Sequence, residues 1–244
     1  MSLYLYCIIN NKDLSVQGYT GVDDLPIKKF SHGDLAILYS ECEQSQIMPS
    51  RKNMVNHQKI GEDLIHKTAV IPMKYGVFVD DKEALEEIMT RNYTSIEQEM
   101  AYLDGKIEYT LRVTFLEPDI FNKINATYEQ IGNLREQLNT ENGVSYNERV
   151  ELGKLVEQAL NKEAEKVVAK IDKLALSDVT YDSADISALS DLNIFSRVYL
   201  LDDDHYDEFE NRITPLSESM DICKFQLIGP EPAVHFVDLN MEES

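Results

Sequence analysis

The 244 residues predict an α+β chain of two domains: an N-terminal α+β domain over residues 1–104, and a ferredoxin-like βαββαβ domain with a long helical hairpin over residues 105–244. Three observations carry this expectation. Apolar and alternating runs recur at strand spacing, amphipathic stripes at helical spacing lie between them, and from Glu108 onward their order is β, α, β, β, α, β. The length also exceeds a usual domain of roughly 100 to 200 residues.

In the first half, Leu3 to Ile9 is apolar on both strand faces, as in a central strand, and Asp34 to Ser40 repeats that character after the segment Pro26 to Gly33. Arg51 to Lys67 then changes to helical spacing, with Met54, His57, Gly61, Leu64 and Ile65 on one face covering those strands. Pro72 and Gly76 bracket a connection. Asp80 is placed to cap a helix whose stripe is Leu85, Ile88, Met89, Ile96, Met100 and Leu103, and Asp104-Gly105 stops it near the domain boundary.

In the second half, Glu108 to Phe115 alternates Tyr109, Leu111, Val113 and Phe115 against Glu108, Thr110, Arg112 and Thr114, the pattern of a half-buried strand. Pro118 suits the first turn of a helix carrying Phe121, Ile124, Tyr128, Ile131, Leu134 and Leu138, ended by the polar segment Asn139 to Gly143. Ser145 and Glu148 have capping-box spacing before a long amphipathic helix through Leu152, Leu155, Val156, Leu160, Val167, Val168 and Ile171. Strands are expected around Leu176 to Tyr181 and Ile194 to Leu201, then an acid-capped helix from Asp203 to Leu216 and a strand from Ile222 to Ile228. Neither an internal repeat nor a low-complexity region interrupts the chain.

Composition narrows the function classes. Hydrophobic content of 43% and charged content of 27% suit a folded chain with a real core. A formal charge of −21 repels phosphates and anionic headgroups, so neither nucleic acid nor bare membrane is an expected partner; the same acidity also keeps a protein soluble. Cys7, Cys42 and Cys223 are an odd set without CxxC spacing, which fits a reduced compartment. No basic segment leads into an apolar N-terminal stretch and no window approaches 18 uninterrupted apolar residues, so the expected location is cytoplasmic.

Candidate chemistry is sparse. His57 and His66 are nine helical steps apart, a rotation of about 180°, so on one helix they cannot share an ion. His57 is expected to be a hydrogen-bonded core histidine and His66 a solvated one, and no metal is expected. Asp202, Asp203, Asp204 and His205 sit where a helix begins, where aspartates stabilise the exposed amides; they lack the glycine and spaced ligands of a calcium loop. A glycine-rich phosphate loop and a nucleophile elbow are both missing, and the glutamates of the long helices read as solvated faces. Catalytic, cofactor and metal residues are therefore assigned to none. Interface residues stay unassigned, with exposed sheet edges and apolar turns as the places to look.

Four stretches, in order, resemble the gas vesicle protein F/L family. Leu3-Tyr4-Leu5-Tyr6-Cys7-Ile8-Ile9 is similar to its opening strand. His57 precedes Ala69-Val70-Ile71-Pro72-Met73-Lys74-Tyr75-Gly76-Val77-Phe78, which resembles the family's P-x-(R/K)-(F/Y)-G segment after a histidine-bearing helix. Leu103-Asp104-Gly105-Lys106-Ile107-Glu108 resembles its lead into a strand, and Leu227-Ile228-Gly229-Pro230-Glu231-Pro232-Ala233-Val234-His235-Phe236-Val237 its terminal Gly-Pro turn and final strand. Glu231 stands where an aromatic is common and Lys74 where arginine is common. On the residues alone, the two prolines around Glu231 restrict the backbone and position the last strand after a tight turn.

The resemblance implies a two-domain, non-catalytic accessory or minor structural protein of gas vesicles. It would bind the small hydrophobic shell protein or other accessory proteins during assembly, and would cover an apolar shell face against aggregation. Two other classes stay open at this point: an enzyme on an α+β scaffold, marked by a deep pocket with convergent titratable groups, and a regulatory module for a small effector.

Overall fold

The computed structural model describes residues 2–11, 14–43, 46–140, 146–174, 176–186 and 192–239. It is a mixed α and β structure with two sheets. Two compact units emerge, one of Met1–Tyr109, Leu200–Asp204 and Gly229–Ser244, the other of Thr110–Tyr199 and His205–Ile228. Compared with the expected single cut after residue 104, the first unit also takes two returning segments, because Leu200 from one and Ala233, Phe236, Val237 and Leu239 from the other pack on the first unit's core.

In the first unit, β1 (Ser2–Asn10) is the central strand its apolar run requires. It pairs antiparallel with β3 (Leu35–Cys42) on one side, and on the other with β4 (Val70–Pro72) and β5 (Phe78–Val79); β2 (Lys28–His32) lies outside β3. Of these, β2, β4 and β5 escape the sequence reading because they are short or polar. A register shift between Leu5 and Cys7 inserts an extra residue, Tyr6, into β1. Leu3, Leu5 and Ile8 therefore join one apolar cluster, while Tyr4, Tyr6, Cys7 and Ile9 join the other.

Each face has its helix. The α1 helix (Arg51–Glu62) is capped by Ser50, whose side chain accepts the Asn53 amide. It ends before the expected Lys67, and of the expected buried stripe Met54 is instead exposed. The α2 helix (Lys82–Leu103) is capped by Asp81 rather than Asp80, accepting from Ala84 at 2.9 Å, and buries Leu85, Met89, Ile96, Met100 and Leu103 as the stripe predicts. Full burial of each such side chain stabilises by about 1.5–3 kcal/mol.

The second sheet has the order β7-β8-β6-β9, from β6 (Lys106–Phe115), β7 (Asp182–Asp185), β8 (Asn193–Asp202) and β9 (Cys223–Glu231). Between β6 and β7 run α3 (Asp119–Thr127), α4 (Glu129–Thr140) and α5 (Tyr146–Ile171); α6 (Tyr206–Glu218) joins β8 to β9. The helix expected from Pro118 to Leu138 is thus two helices broken at Tyr128. The strand expected at Leu176 to Tyr181 is a 3-10 turn, Leu176–Asp178, and the pairing segment falls just after it. The expected capping residue Ser145 lies outside the described residues. No separate strand comes after Gly229-Pro230: β9 runs through both residues, and the segment to 239 packs without strand pairing.

Candidate functional site

Three of the stretches that carry the family resemblance, the opening strand, the segment Met73–Gly76 and the turn at Glu231 and Pro232, meet at α1. From β1, the fully buried Tyr4 reaches His57 on the inner face of the helix, with Tyr4 Oη 2.9 Å from His57 Nδ1. The other ring nitrogen, Nε2, lies 2.9 Å from the Met73 carbonyl, which only accepts, so Nε2 carries the proton and Nδ1 receives the Tyr4 hydroxyl. The Gly76 amide completes the chain by donating to Tyr4 Oη at 3.3 Å. Helix α1, strand β1 and the Met73–Gly76 segment are thereby tied by one imidazole.

Aromatic rings enclose this chain. Tyr4 packs edge-on against His57, Tyr75 and Phe78, at centroid distances of 5.6, 5.9 and 5.1 Å. Burial lowers the His57 pKa, opposed by its bond to Met73, and burial raises that of Tyr4. The Tyr6 hydroxyl is pushed up to about 12 by burial, although its bonds with Ser40 and Val22 act the other way. That hydroxyl donates to Ser40 Oγ at 2.8 Å, since Ser40 itself donates to the Pro26 carbonyl, and it accepts the Val22 amide at 3.0 Å. The residue inserted by the bulge thus anchors the loop before β2.

The rest of the inner face is equally committed. Asn53 and Asp23 exchange two hydrogen bonds, at 2.9 and 2.8 Å, fixing a turn in which Asp23 and Asp24 both have positive φ. Gln58 donates to Glu231 at 3.1 Å. Gly61 meets Pro232 so closely that a Cβ would stand 2.7 Å from its Cγ, so this helix position accepts only glycine while the proline holds its place.

Beyond Glu231, the C-terminal segment is fastened by Glu108. This carboxylate is buried at 1% exposure and accepts both the His235 amide, at 2.9 Å, and His235 Nδ1, at 2.6 Å. Burial raises its pKa despite those bonds. Burial also raises that of Glu231, with the nearby Glu108 adding to it. Alternation places Glu108 on a polar face of a half-buried strand; both faces are covered there, and its partner His235 lies 127 positions away, beyond the reach of any local pattern.

The second unit has its own buried carboxylate. Glu163 of α5 receives Lys123 Nζ at 2.8 Å, Lys166 Nζ at 2.5 Å and the Tyr128 hydroxyl at 2.9 Å. Burial by itself would raise its pKa, but these three donors outweigh it and hold the carboxyl down at about 2. The expectation that the helix glutamates form solvated faces fails at this residue.

Of the residues singled out in the sequence, His57 is the hydrogen-bonded core histidine expected, and His66 is exposed, with Nδ1 3.2 Å from Asp203. Asp203, Asp204 and His205 form a 3-10 turn leading into α6. Cys7, Cys42 and Cys223 are free and buried. Among the described residues, no three His, Cys, Asp or Glu side chains group as metal ligands, and no helix is long and apolar enough to cross a membrane. Among the described residues, one groove is lined by Tyr128, Ile131, Leu155, Ala159 and Lys162 between α4 and α5.

Known proteins resemble this chain over nearly its whole length. A gas vesicle protein F from a Streptomyces species is 24% identical over 242 residues, covering 98% of this chain and 100% of the relative. One from Dolichospermum flosaquae is 22% identical over 221 residues, covering 88% and 89%. The crystal structure of the gas vesicle protein GvpF from Anabaena sp. PCC7120 shares the fold with a TM-score of 0.80 at 16% identity, over 98% of this chain and 99% of that one. That of GvpF from Microcystis aeruginosa gives 0.77 at 17% identity, with the same coverage. The family model described as gas vesicle synthesis protein GvpL/GvpF matches residues 2–238, so the chain belongs to the GvpL/GvpF family of gas vesicle synthesis proteins.

Proposed function

We propose that this chain is a non-catalytic accessory protein of gas vesicle assembly that acts in the cytoplasm and at the gas vesicle. It binds the hydrophobic shell protein or other accessory proteins and keeps shell subunits from aggregating. The observation that carries this reading is the family match across residues 2–238. The formal charge of −21 supports it, because a polyanionic partner bound to an apolar subunit keeps the complex dispersed. The use of His57, Glu108 and Glu163 as internal fasteners supports a binding role over a catalytic one. The order β7-β8-β6-β9, with β6 and β8 central, supports the ferredoxin-like reading of the second sheet.

Co-expression with the major shell protein tests this. The shell protein is expected to co-purify with this chain and not with an unrelated acidic protein, and added chain is expected to lower light scattering from shell protein diluted out of denaturant. Absence of retention at both low and moderate salt, with the chain folded, would remove direct shell binding and leave the accessory proteins as partners.

A further inference from the structure

Glycine weakens a helix interior, a cost that close approach of another group to the bare backbone offsets. Three glycines lie inside described helices, and two of them have such a neighbour. Gly61 of α1 meets the Pro232 ring, and Gly132 of α4 meets the Asn125 carbonyl, 3.0 Å from where a Cβ would stand. At Gly153 of α5, nothing lies within 4 Å of that position. The fold itself supplies no close neighbour for this glycine.

The helix face around it is exposed. The buried stripe of α5 is Ala159, Glu163, Val167 and Ile171, and Leu155 and Ala159 line the groove toward α4, whereas from Tyr146 to Gln158 no residue is buried. Val150 is nine positions before Ala159, a rotation of about 180°, so it points away from that stripe. On its side lie Tyr146, 80% exposed, Val150 itself, 38% exposed, Gly153 and Glu157, one turn after another. Charge is balanced there: residues 146–162 hold Glu148, Glu151 and Glu157 against Arg149, Lys154 and Lys162, in a chain of net charge −21. Glu148 lies two positions from Val150, a rotation of about 200°, and has an interaction of its own, while Lys162 lies over the Tyr128 ring. Arg149, Glu151, Lys154 and Glu157 make no ion pair among the described residues.

We propose that this face of α5 pairs with the same face of a second copy of the chain, the two helices running antiparallel across a two-fold axis at Gly153. The face is complementary to itself about that point. Arg149 and Glu157 stand four positions either side of Gly153, so the axis sets each copy's arginine opposite the other's glutamate. Tyr146 and Leu160, seven positions either side, meet in the same way, and Glu151 comes beside Lys154 along one flank. The two backbones approach most closely where neither carries a side chain, and Val150 enters the hollow that Gly153 leaves. A parallel pair would set like charges side by side and align the two helix dipoles. Two polyanions repel one another over most of their surface, and a face of balanced charge is where they meet at least cost. The contact over residues 146–160 is about 22 Å of helix, which puts the dimer among the small, weak interfaces. The pairing is independent of what the chain binds during assembly.

The experiment is sedimentation of the full chain over a series from micromolar to millimolar concentration, at an ionic strength of about 0.15 M, where charges are screened beyond about 8 Å. Wild type is expected to pass from monomer to dimer along the series. Gly153→Leu is expected to weaken the dimer at least roughly ten-fold, because the leucines collide at the axis. Its melting temperature, taken at the dilute end, is expected to equal or exceed that of wild type, since leucine is the better helix former and meets open space in the single chain. Arg149→Glu and Glu157→Arg are each expected to weaken the dimer roughly ten-fold, and the two changes in one chain to restore it. A wild type that stays monomeric throughout overturns the proposal. So does a dimer that Gly153→Leu leaves unchanged, or a double charge variant that dimerises no better than the single ones.

Discussion

Tyr4 illustrates how one hydroxyl can couple three pieces of chain: it takes the Gly76 amide and gives its proton to His57 Nδ1, whose other nitrogen holds Met73. Tyr4→Phe leaves the ring stack in place and orphans an amide and an imidazole acceptor. A loss of about 1–3 kcal/mol is expected, read as a lower melting temperature, with amide exchange speeding up first around residues 73–77. The pH dependence comes from the direction of the His57 shift. Burial penalises the imidazolium, so the folded value lies below the ordinary 6.5, and the unfolded chain binds the proton more readily. The stability from neutral His57 is complete above about pH 6.5 and is lost as pH falls through the folded value. Wild type should therefore lose melting temperature between pH 7 and 5 by more than His57→Gln does. Equal slopes in the two proteins would rule the linkage out.

At the scale of elements, buried carboxylates do what apolar stripes cannot: they fix which helix turn faces which neighbour. Glu163 on α5 gathers Lys123 of α3, Tyr128 at the break before α4, and Lys166. Glu163→Ala is expected to cost about 1–3 kcal/mol, since the half-exposed lysines return to water while the Tyr128 hydroxyl loses its acceptor. With the folded carboxyl near 2 against an ordinary 4.5, the interaction's stability is intact above about pH 4.5 and disappears toward pH 2, a window separate from that of His57. Chemical denaturation of wild type and variant at pH 7 and pH 3 would show the gap narrowing. Gly229 acts by absence: at φ +137 a Cβ would come 2.6 Å from the Tyr109 ring and 2.9 Å from the Glu108 carbonyl. Gly229→Ala should therefore destabilise by about 1–3 kcal/mol and raise amide exchange in the 231–239 segment.

These elements also show what periodicity can and cannot convey. The stripe of α2 and the apolar run of β1 were legible because burial repeats at the period of the backbone. The break at Tyr128 was not, since the apolar stripe continues across it and the interruption serves a hydrogen bond to Glu163. The bulge at Tyr6 was hidden for a similar reason: where every residue is apolar, an extra one leaves no trace in the pattern. The burial of Glu108 and Glu163 was not legible because it depends on partners far along the chain, His235 at 127 positions for the first and Lys123 and Tyr128 at 40 and 35 for the second, which a local window does not contain. His57 was readable as a core histidine from its place in an apolar stripe, but the partners that give it a role, Tyr4 and Met73, come from other elements.

For the whole molecule the dominant quantity is the excess of 21 negative charges. Such an excess repels itself in the compact state and is partly relieved on unfolding, so it opposes folding at low ionic strength. Most of the described ion pairs are exposed at one or both ends, for example Arg91 with Glu87 and Lys52 with Asp24, and each contributes about 0–1 kcal/mol that salt also removes. The two effects predict opposite responses. With 44 acidic groups against 23 basic ones, many carboxylates lack a cation, so the long-range repulsion outweighs the short pairs. Raising ionic strength from about 0.01 to about 0.15 M shortens the screening length from about 30 Å to about 8 Å, long enough to span the molecule at first and confined to near neighbours at the end. The melting temperature at pH 7 should therefore rise by a few degrees over that range and then level off, for an added kcal/mol moves a chain of this size by about 2–4 °C. A falling melting temperature would mean that specific ion pairs outweigh the net charge.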